Sequence, residues 1–242
     1  MAALVSGAGL EPVALSGNPA RVRLVESLTA LSASLEHPRC FLLDLPPGPE
    51  ADRVIDESYV VMEPGDVVID LTASYWGDTL RRFRRMRHRS IYYVDAALLT
   101  EPPAFLVSGD PAGVELAAPI LAPLAPNGRL VRAGEAGAAH YVRMVAAALA
   151  MTITHARSEV RQLIEAYPNH AAVPALAALL DAPAPPAEPL ALWLLDDAIR
   201  LHAPVPLLAQ GAMLEVATGL DEHRSVEPPP RVGGFVHPDE IL

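Results

Sequence analysis

The sequence predicts an α/β fold, in which a doubly wound sheet is followed by a small all-helical domain. Short apolar runs alternate with helical stretches over the first 133 residues. Two of these runs, CFLLDL and VVIDL, are mainly apolar on both faces, as expected for parallel strands that helices cover on both sides. After Gly134 the apolar residues recur at spacings of three and four, which is typical of helices.

Six strands and four helices are predicted in the first 133 residues. The strands are expected at Pro12–Leu15, Cys40–Leu45, Val67–Leu71, Ile91–Asp95, Phe105–Ser108 and Arg129–Arg132. The helices are expected near Thr29–His37, Glu50–Tyr59, Asp78–His88 and Pro111–Leu124. Start signals support two of them, because Asp78 can cap its helix and Asp110 precedes a proline at the first helical turn. Alternation of this kind predicts βαβ units.

The second half of the chain is predicted to be helical. No proline interrupts Gly137–Tyr167, so one long helix of about 30 residues is expected there. Helical patterns resume at Leu190–His202 and Pro206–Thr218. We therefore expect a sheet domain at 1–133, a connecting helix at 134–167, a small helical domain at 168–226 and an extended tail at 227–242.

Composition and charge exclude several classes of function. Hydrophobic residues make up 51% of the 242 residues and charged residues 19%, which excludes a disordered chain. All 18 residues counted as Lys or Arg are arginine, which excludes Schiff-base chemistry, a phosphate-loop lysine and a lysine general base. The net charge of -11 disfavours non-specific binding of nucleic acid or anionic membranes.

The sequence also favours a cytoplasmic location. Cys40 is the single cysteine, so an internal disulfide is excluded. The first residues lack the basic region and long apolar stretch of a secretory signal. No apolar run approaches the roughly 18 residues that a membrane span needs. The eight histidines have no metal-like spacing, and no metal site is expected.

Several blocks of the sequence carry a resemblance to a known family. They are VMEPGDVVIDLTASYWGDTLRR, YYVDA, FLVSGD and GEAGAAHYVRMVAAAL, with NPARVRLVESLTALSASLEHPRCFLLDLPPG upstream, and ALWLLDDAIRLHAPVPLLAQGAMLEVATG and RVGGFVHP downstream. Together they resemble 6-phosphogluconate dehydrogenase, particularly its shorter bacterial type. The resemblance implies a Rossmann-like, NADP-binding domain, a helical domain and usually a homodimer built from the helical parts. Here the Rossmann-like sheet is expected to be truncated, because Ala3–Leu10 leaves no room for a full first βα unit.

The cofactor-binding motif of the family is not present in its usual form. A dinucleotide fold needs a glycine-rich turn after the first strand to hold the pyrophosphate. In this chain the segment that resembles the end of the second strand contains Asn18, followed by Arg21 and Arg23. These three are the candidate cofactor-binding residues, since arginines can meet a 2′-phosphate. Without the glycine-rich turn no cofactor is expected, and NADP is expected if nucleotide binding is retained.

The family's catalytic groups are replaced along the long helix. The resemblance places Arg143 at the family's lysine, Ala146 and Ala147 at its histidine and asparagine, and Ala150 at its glutamate. An arginine stays protonated near neutral pH and is a poor base. We therefore expect no catalytic residue at these positions.

Two substrate loops of the family are altered as well. The family's G-G-N-S loop reads Leu71-Thr72-Ala73-Ser74 here, so its asparagine is lost. The T-S-G-G loop is missing from the shortened segment Ala96–Pro103. The loss of cofactor turn, base, acid and substrate ligands together predicts a catalytically degenerate relative.

An arginine-rich helix is the second candidate site. Six arginines occur between Arg81 and Arg89, and Phe83 and Met86 are predicted to face inward while the arginines cover the remaining surface. One interpretation is a patch for an acidic partner, an anionic ligand or RNA. The other is a solvated helix face that carboxylates elsewhere balance. The candidate patch residues are Arg81, Arg82, Arg84, Arg85 and Arg87.

Three functions are consistent with these observations. The favoured hypothesis is a structural or regulatory subunit that binds a protein partner, as a homodimer through the helical domain. The second is an NADP-dependent oxidoreductase on a different substrate, with chemistry at groups such as Ser74, Tyr75 or His140. For His140, packing or helix capping is the simpler interpretation. The third is a non-catalytic binder of an anionic ligand or RNA through the arginine-rich helix.

Overall fold

The structure is a computed structural model that describes residues 13–14, 23–46, 48–100, 103–125, 129–165, 191–200, 206–207, 209–213 and 233. The chain divides into two compact units, Met1–Arg143 with Pro230–Leu242, and Met144–Pro229. Most of the predicted segments 168–226 and 227–242 lies outside the described residues, and the predicted boundaries at 133 and 167 stay predictions.

The described strands of the first unit form two sheets. Strands β1 and β2 pair in parallel, and the five others form one sheet in the order β3-β4-β5-β6-β7. The strands are β1 (Val13–Ala14), β2 (Arg23–Leu24), β3 (Cys40–Leu43), β4 (Val67–Asp70), β5 (Tyr92–Thr100), β6 (Pro103–Gly109) and β7 (Leu130–Gly134). Of these, β2 was not expected from the sequence, because a two-residue strand is too short to show a periodicity.

Helices alternate with these strands as the sequence predicts. They are α1 (Leu28–Ala33), α2 (Pro49–Ser58), α3 (Trp76–Arg87), α4 (Pro111–Leu121, followed by a 3₁₀ turn at Ala122–Leu124), α5 (Ala138–Glu165) and α6 (Ala191–Arg200). The predicted start of α4 is confirmed, since the Asp110 side chain accepts a hydrogen bond from the Ala112 N–H and Pro111 lies in the first turn. Helix α4 follows β6 and helix α5 follows β7, and both lie close to the helices predicted at Pro111–Leu124 and Gly137–Tyr167.

The prediction that Asp78 caps α3 is wrong. The helix begins at Trp76, and Tyr75 occupies the cap position with an extended backbone. The N–H groups of Asp78 and Thr79 both donate to the Tyr75 carbonyl, so Asp78 is already inside the first turn. A carboxylate is favourable there too, because it faces the positive end of the helix dipole.

The five-stranded sheet is mixed rather than wholly parallel. The pairs β3/β4, β4/β5 and β6/β7 are parallel, whereas β5 and β6 pair antiparallel from Val94–Gly109 to Thr100–Pro103. Residues 101–102 are the whole connection between β5 and β6, which is too short for the crossover that parallel strands need. This hairpin also extends β5 to Thr100, beyond its predicted end at Asp95.

Helices cover both faces of the sheet, as the sequence predicts. On one face Val67, Ile69 and Val94 pack with Val114 and Leu121 of α4. On the other face the strand residues Phe41, Val68 and Tyr93 pack with Ile55 of α2 and Met86 of α3. The predicted inward positions of Met86 and Phe83 are confirmed, since Met86 is fully buried and the partly buried Phe83 packs against the same cluster.

Gly109, at the end of β6, offers a test of this packing. A Cβ atom there would clash with the Tyr93 carbonyl oxygen, and the backbone has φ +128°. We expect Gly109→Ala to lower the free energy of unfolding by about 3 kcal/mol or more, since backbone strain of roughly 1–3 kcal/mol adds to the clash. Urea unfolding followed by tryptophan fluorescence measures the loss.

Gly134→Ala is the matched control. Its backbone has φ +135°, but the nearest atom to an added Cβ is the Ala138 Cβ at 3.6 Å. It therefore carries the strain without the clash, and its loss is expected to be the smaller one. Equal losses for the two variants would show that the contact with β5 is not tight.

Candidate functional site

Two buried carboxylates lie at the carboxyl end of β4: Asp70 is its last residue, and Asp95 lies beside it within β5, which continues to Thr100. Asp70 and Asp95 are register partners in adjacent strands, and neither is exposed to solvent. Ligands of α/β sheets bind at this edge, so these residues are the first candidates for a site. Burial of a carboxylate is costly unless it is hydrogen-bonded, so their partners indicate what each carboxylate does.

Asp95 binds the beginning of helix α5. Its Oδ1 accepts the Gly137 N–H at 2.8 Å, and its Oδ2 accepts the N–H groups of Ala139 at 3.1 Å and His140 at 3.2 Å. The Ser108 hydroxyl also donates to Oδ2, at 2.6 Å. This carboxylate is therefore a helix cap that joins β5, β6 and α5.

Asp70 binds groups from its own loop, from β5 and from α3. Its Oδ1 accepts the Thr72 N–H at 2.9 Å, and its Oδ2 accepts the Tyr93 hydroxyl and an Arg82 N–H at 3.4 Å. Burial raises the pKa of Tyr93 well above its usual value, so the phenol keeps its proton and donates. The carboxylate is thus fully engaged within the protein.

Arg82 is buried, and the expectation that it lies on the solvent face of its helix is wrong. Its side chain is 1% exposed and donates to Ser74 Oγ at 2.7 Å and to Asp52 Oδ2 at 2.9 Å, besides its contact with Asp70. Carboxylates from α2 and β4 make this burial possible. Burial acts to raise the pKa of Asp52, but hydrogen bonds and charge from Arg82 and Arg81 outweigh it, so that pKa is lowered.

His140 lies between the same elements and has structural partners. It is 1% exposed, with Nδ1 2.7 Å from Thr79 Oγ1 and Nε2 3.2 Å from the Asp70 carbonyl oxygen. These contacts support the packing interpretation of His140. Ser74 is also buried, and it accepts its hydrogen bond from Arg82.

The loop between β4 and α3 contains two further buried side chains. Tyr75 is 1% exposed, and its ring centre lies 5.7 Å from that of Trp76. The Thr72 hydroxyl is buried and has no hydrogen-bond partner among the described residues. Among the described residues of this edge, it is a polar group to which a ligand could bind.

The positions assigned to family chemistry lie on one face of α5, at spacings of three and four. Arg143 is partly exposed, and Ala147 and Ala150 are buried. Of the candidate cofactor residues, Asn18 and Arg21 lie outside the described residues, and Arg23 lies in β2. Their role stays a prediction.

The arginine-rich helix is partly neutralised by α2. Arg81 lies 2.5 Å from Asp52, and Arg85 lies 2.5 Å from Asp56. Arg84 and Arg87 are exposed. The structure therefore separates the buried Arg82 and the partly buried Arg81 from the exposed Arg84, Arg85 and Arg87.

The described residues contain neither a metal-binding cluster nor a helix that could cross a membrane. No three His, Cys, Asp or Glu side chains of this part of the chain are arranged to hold a metal ion. Nor does any helix in it have the length and apolar character to cross a membrane.

Sequence reasoning missed Asp52, Asp70, Tyr93 and Asp95. One signal could have found Asp70 and Asp95: three successive apolar runs lead into an aspartate, in CFLLD, VVID and YYVD. Asp52 carries no such signal, because it lies 30 residues before Arg82 on an ordinary amphipathic helix.

Arg82→Met tests the buried network. The variant leaves Asp52 and Asp70 without their cation, and removing one partner of a buried ion pair costs about 3–5 kcal/mol. We expect a loss of that size in the free energy of unfolding, measured by urea titration. Arg53→Met, at an exposed ion pair of α2 with Glu50 and Glu57, is the control and should have little effect. A similar loss in both variants would contradict the network.

Asp95→Asn tests the helix cap. The asparagine has the same shape, but its NH₂ group would face backbone N–H donors, and we expect a loss of about 3 kcal/mol. Amide hydrogen exchange at Ala139 and His140 should accelerate more than exchange in β4. Glu115→Gln, at an exposed pair with Arg132, should leave both measurements nearly unchanged. Unaltered exchange at the start of α5 would exclude Asp95 as its cap.

Comparisons with known proteins agree with this fold. The family model described as the NAD binding domain of 6-phosphogluconate dehydrogenase matches residues 10–137. The decarboxylating 6-phosphogluconate dehydrogenase of Bacillus licheniformis is 34% identical over 122 residues, which are 46% of this chain and 26% of that protein. The corresponding enzyme of Chlamydia pneumoniae is 32% identical over 130 residues, 50% of this chain and 27% of that protein. The match thus spans about a quarter of these relatives.

A solved structure shows the same fold over more of the chain. The 3-hydroxyisobutyrate dehydrogenase of Mycobacterium tuberculosis, in a structure with L-serine, has a TM-score of 0.69 at 17% identity and covers 95% of this chain and 91% of that one. At this identity the likeness concerns the fold. The family match spans more than half of the sequence, and the chain therefore belongs to the family of the NAD-binding domain of 6-phosphogluconate dehydrogenase.

Proposed function

We propose that this chain is a catalytically degenerate member of its dehydrogenase family, which serves as a structural or regulatory subunit and binds a protein partner. The observation that carries the proposal is the state of the polar side chains at the carboxyl edge of the sheet. Asp70, Asp95 and His140 are buried and bound to other groups of the protein. A catalytic acid or base has to reach a proton of the substrate, whereas these groups join helices to the sheet.

The residues of α5 support the same proposal. Arg143 stands at the position that the resemblance assigns to the lysine base, and alanines stand at the other three assigned positions, 146, 147 and 150. Alanine has no group that transfers a proton, and arginine stays protonated. Oxidative decarboxylation of a sugar acid therefore has no base and no acid at these positions.

The β5–β6 hairpin is a further argument. Thr100 pairs with Pro103, so the strands are joined by residues 101–102. A connection of two residues leaves no length for the T-S-G-G substrate loop that the resemblance assigns to this segment. The segment therefore forms part of the sheet and provides no loop that could bind a substrate.

The described residues at this edge do not fit a dinucleotide. Asp44 follows β3, Asp70 ends β4, and Asp95 lies beside Asp70 within β5; Asp44 is exposed. A pyrophosphate is held by backbone N–H groups or cations, and the cation at this edge, Arg82, is bound to Asp52 and Asp70. We propose that the chain needs no cofactor, and that NADP is the nucleotide if binding is retained through Arg21 and Arg23.

A second candidate is an NADP-dependent oxidoreductase that acts on a different substrate. Membership of an NAD-binding family supports it, and so does the buried Thr72 hydroxyl. A buried hydroxyl without a partner costs free energy, and a ligand at the carboxyl edge would supply the missing hydrogen bond. In this function Ser74 or His140 would have to leave its present partner.

We also propose a homodimer in the cytoplasm. Val142, Val145 and Leu149 are 36%, 38% and 60% exposed, and their spacing puts them on one face of α5. An exposed apolar face favours contact with a second chain. The single cysteine, Cys40, fits a reducing compartment.

Native mass spectrometry with and without NADPH tests the proposal. We expect the mass of a dimer without bound nucleotide, and no reduction of NADP when 6-phosphogluconate is added to the pure protein. The Bacillus licheniformis relative, treated in parallel, is the positive control. A nucleotide-bound mass would favour the oxidoreductase, and sugar-acid-dependent NADP reduction would overturn catalytic degeneracy.

A further inference from the structure

We propose that the end of α3 is a docking surface for an acidic segment of a protein partner. This surface, the arginine face, consists of Arg84, Arg85, Arg87, His88 and Arg89. The inference rests on the partner-binding function proposed above and names the surface that performs it. It is distinct from the carboxyl edge of the sheet.

The structure divides the arginines of this helix into two groups. Arg81 and Arg82 are bound to Asp52, and Arg82 is buried as well. Arg84, Arg85 and Arg87 are exposed, and the carboxylate that meets Arg85 is the exposed Asp56. An exposed ion pair contributes little free energy, so a partner's carboxylate can replace Asp56 at small cost.

Aromatic rings hold the guanidinium groups of this surface in place. The guanidinium carbons of Arg85 and Arg89 lie 5.0 Å and 4.7 Å from the centre of the Tyr59 ring. Arg89 also donates to the carbonyl oxygens of Tyr59 and Met62. Arg87 lies 6.0 Å from the Phe83 ring centre. Side chains ordered in advance lose less conformational entropy when a partner binds.

The charge pattern is not the one that helix stability favours. Arg84 and Arg87 are three residues apart on the helix, so like charges are neighbours, which is unfavourable. The exposed face of α2 shows the opposite pattern, since Arg53 pairs with Glu50 and Glu57. Attraction to the helix dipole accounts for Arg84, Arg85 and Arg87 in the last turn, whereas His88 and Arg89 lie beyond the end of the helix.

The same features favour carboxylates over nucleic acid. Binding of bases needs open aromatic rings, and the rings of this surface already carry guanidinium groups. The chain as a whole has a net charge of -11, which repels a long polyanion more than a short acidic segment confined to the arginine face. Planar guanidinium groups match a carboxylate with two parallel hydrogen bonds.

Binding of a fluorescently labelled ten-residue polyglutamate peptide, measured by anisotropy, tests the inference. We expect the Arg84→Gln/Arg87→Gln double variant to bind at least about tenfold more weakly than the unaltered protein. The matched control is Arg53→Gln/Arg132→Gln, which removes the same charge from exposed positions elsewhere and should change the affinity less than about twofold.

Three outcomes would overturn the proposed role of the arginine face. The first is the absence of peptide binding at low salt, and the second is an equal loss of peptide affinity in both double variants. The third is that a labelled ten-nucleotide oligouridine binds more tightly than the peptide and that its binding depends on the arginine face. NADP reduction with 6-phosphogluconate is measured on the same preparations. Its presence would contradict catalytic degeneracy, whereas its absence together with absent peptide binding would refute the arginine face and leave catalytic degeneracy standing.

Discussion

Burial of two carboxylates at paired positions of β4 and β5 is the constraint on which the first unit depends. Neither Asp70 nor Asp95 contacts solvent, so each must obtain its hydrogen bonds from neighbouring elements. Asp95 obtains them from the first N–H groups of α5, and Asp70 obtains one from Arg82 of α3. The residue at which α5 starts and the rotation of α3 about its axis are therefore set by the sheet.

A third buried carboxylate lies at the other end of β4. Asp66 lies just before the strand, is not exposed, and accepts hydrogen bonds from the backbone and guanidinium of Arg39 and from the Glu63 N–H. Burial acts to raise the pKa of Asp66, but these bonds outweigh it and the pKa is lowered. The central region of the sheet thus has hydrogen-bonded, buried aspartates at both edges.

Local signals predicted much of the fold, and long-range contacts account for what they missed. The strands β3 and β4 begin where their apolar runs begin, and the start of α4 follows from the adjacent pair Asp110–Pro111. Arg82 was misplaced because its partners lie 12 and 30 residues earlier in the chain, where no periodicity of α3 reveals them. The antiparallel pairing of β5 with β6 was missed for a similar reason, since apolar runs do not show strand direction.

The β5–β6 hairpin has a consequence for the order of folding. Its seven residue pairs are joined by two residues, and local pairing of this kind forms within microseconds. The parallel pairs form more slowly, because each closes a loop that contains a helix. Asp95 and Ser108 are register partners in the hairpin, so the acceptor group for α5 is assembled before the rest of the sheet. The first turn of a helix is the step whose formation is unfavourable in free energy. In α5, the longest described helix, that turn then forms beside a carboxylate that is already in place to accept its N–H groups.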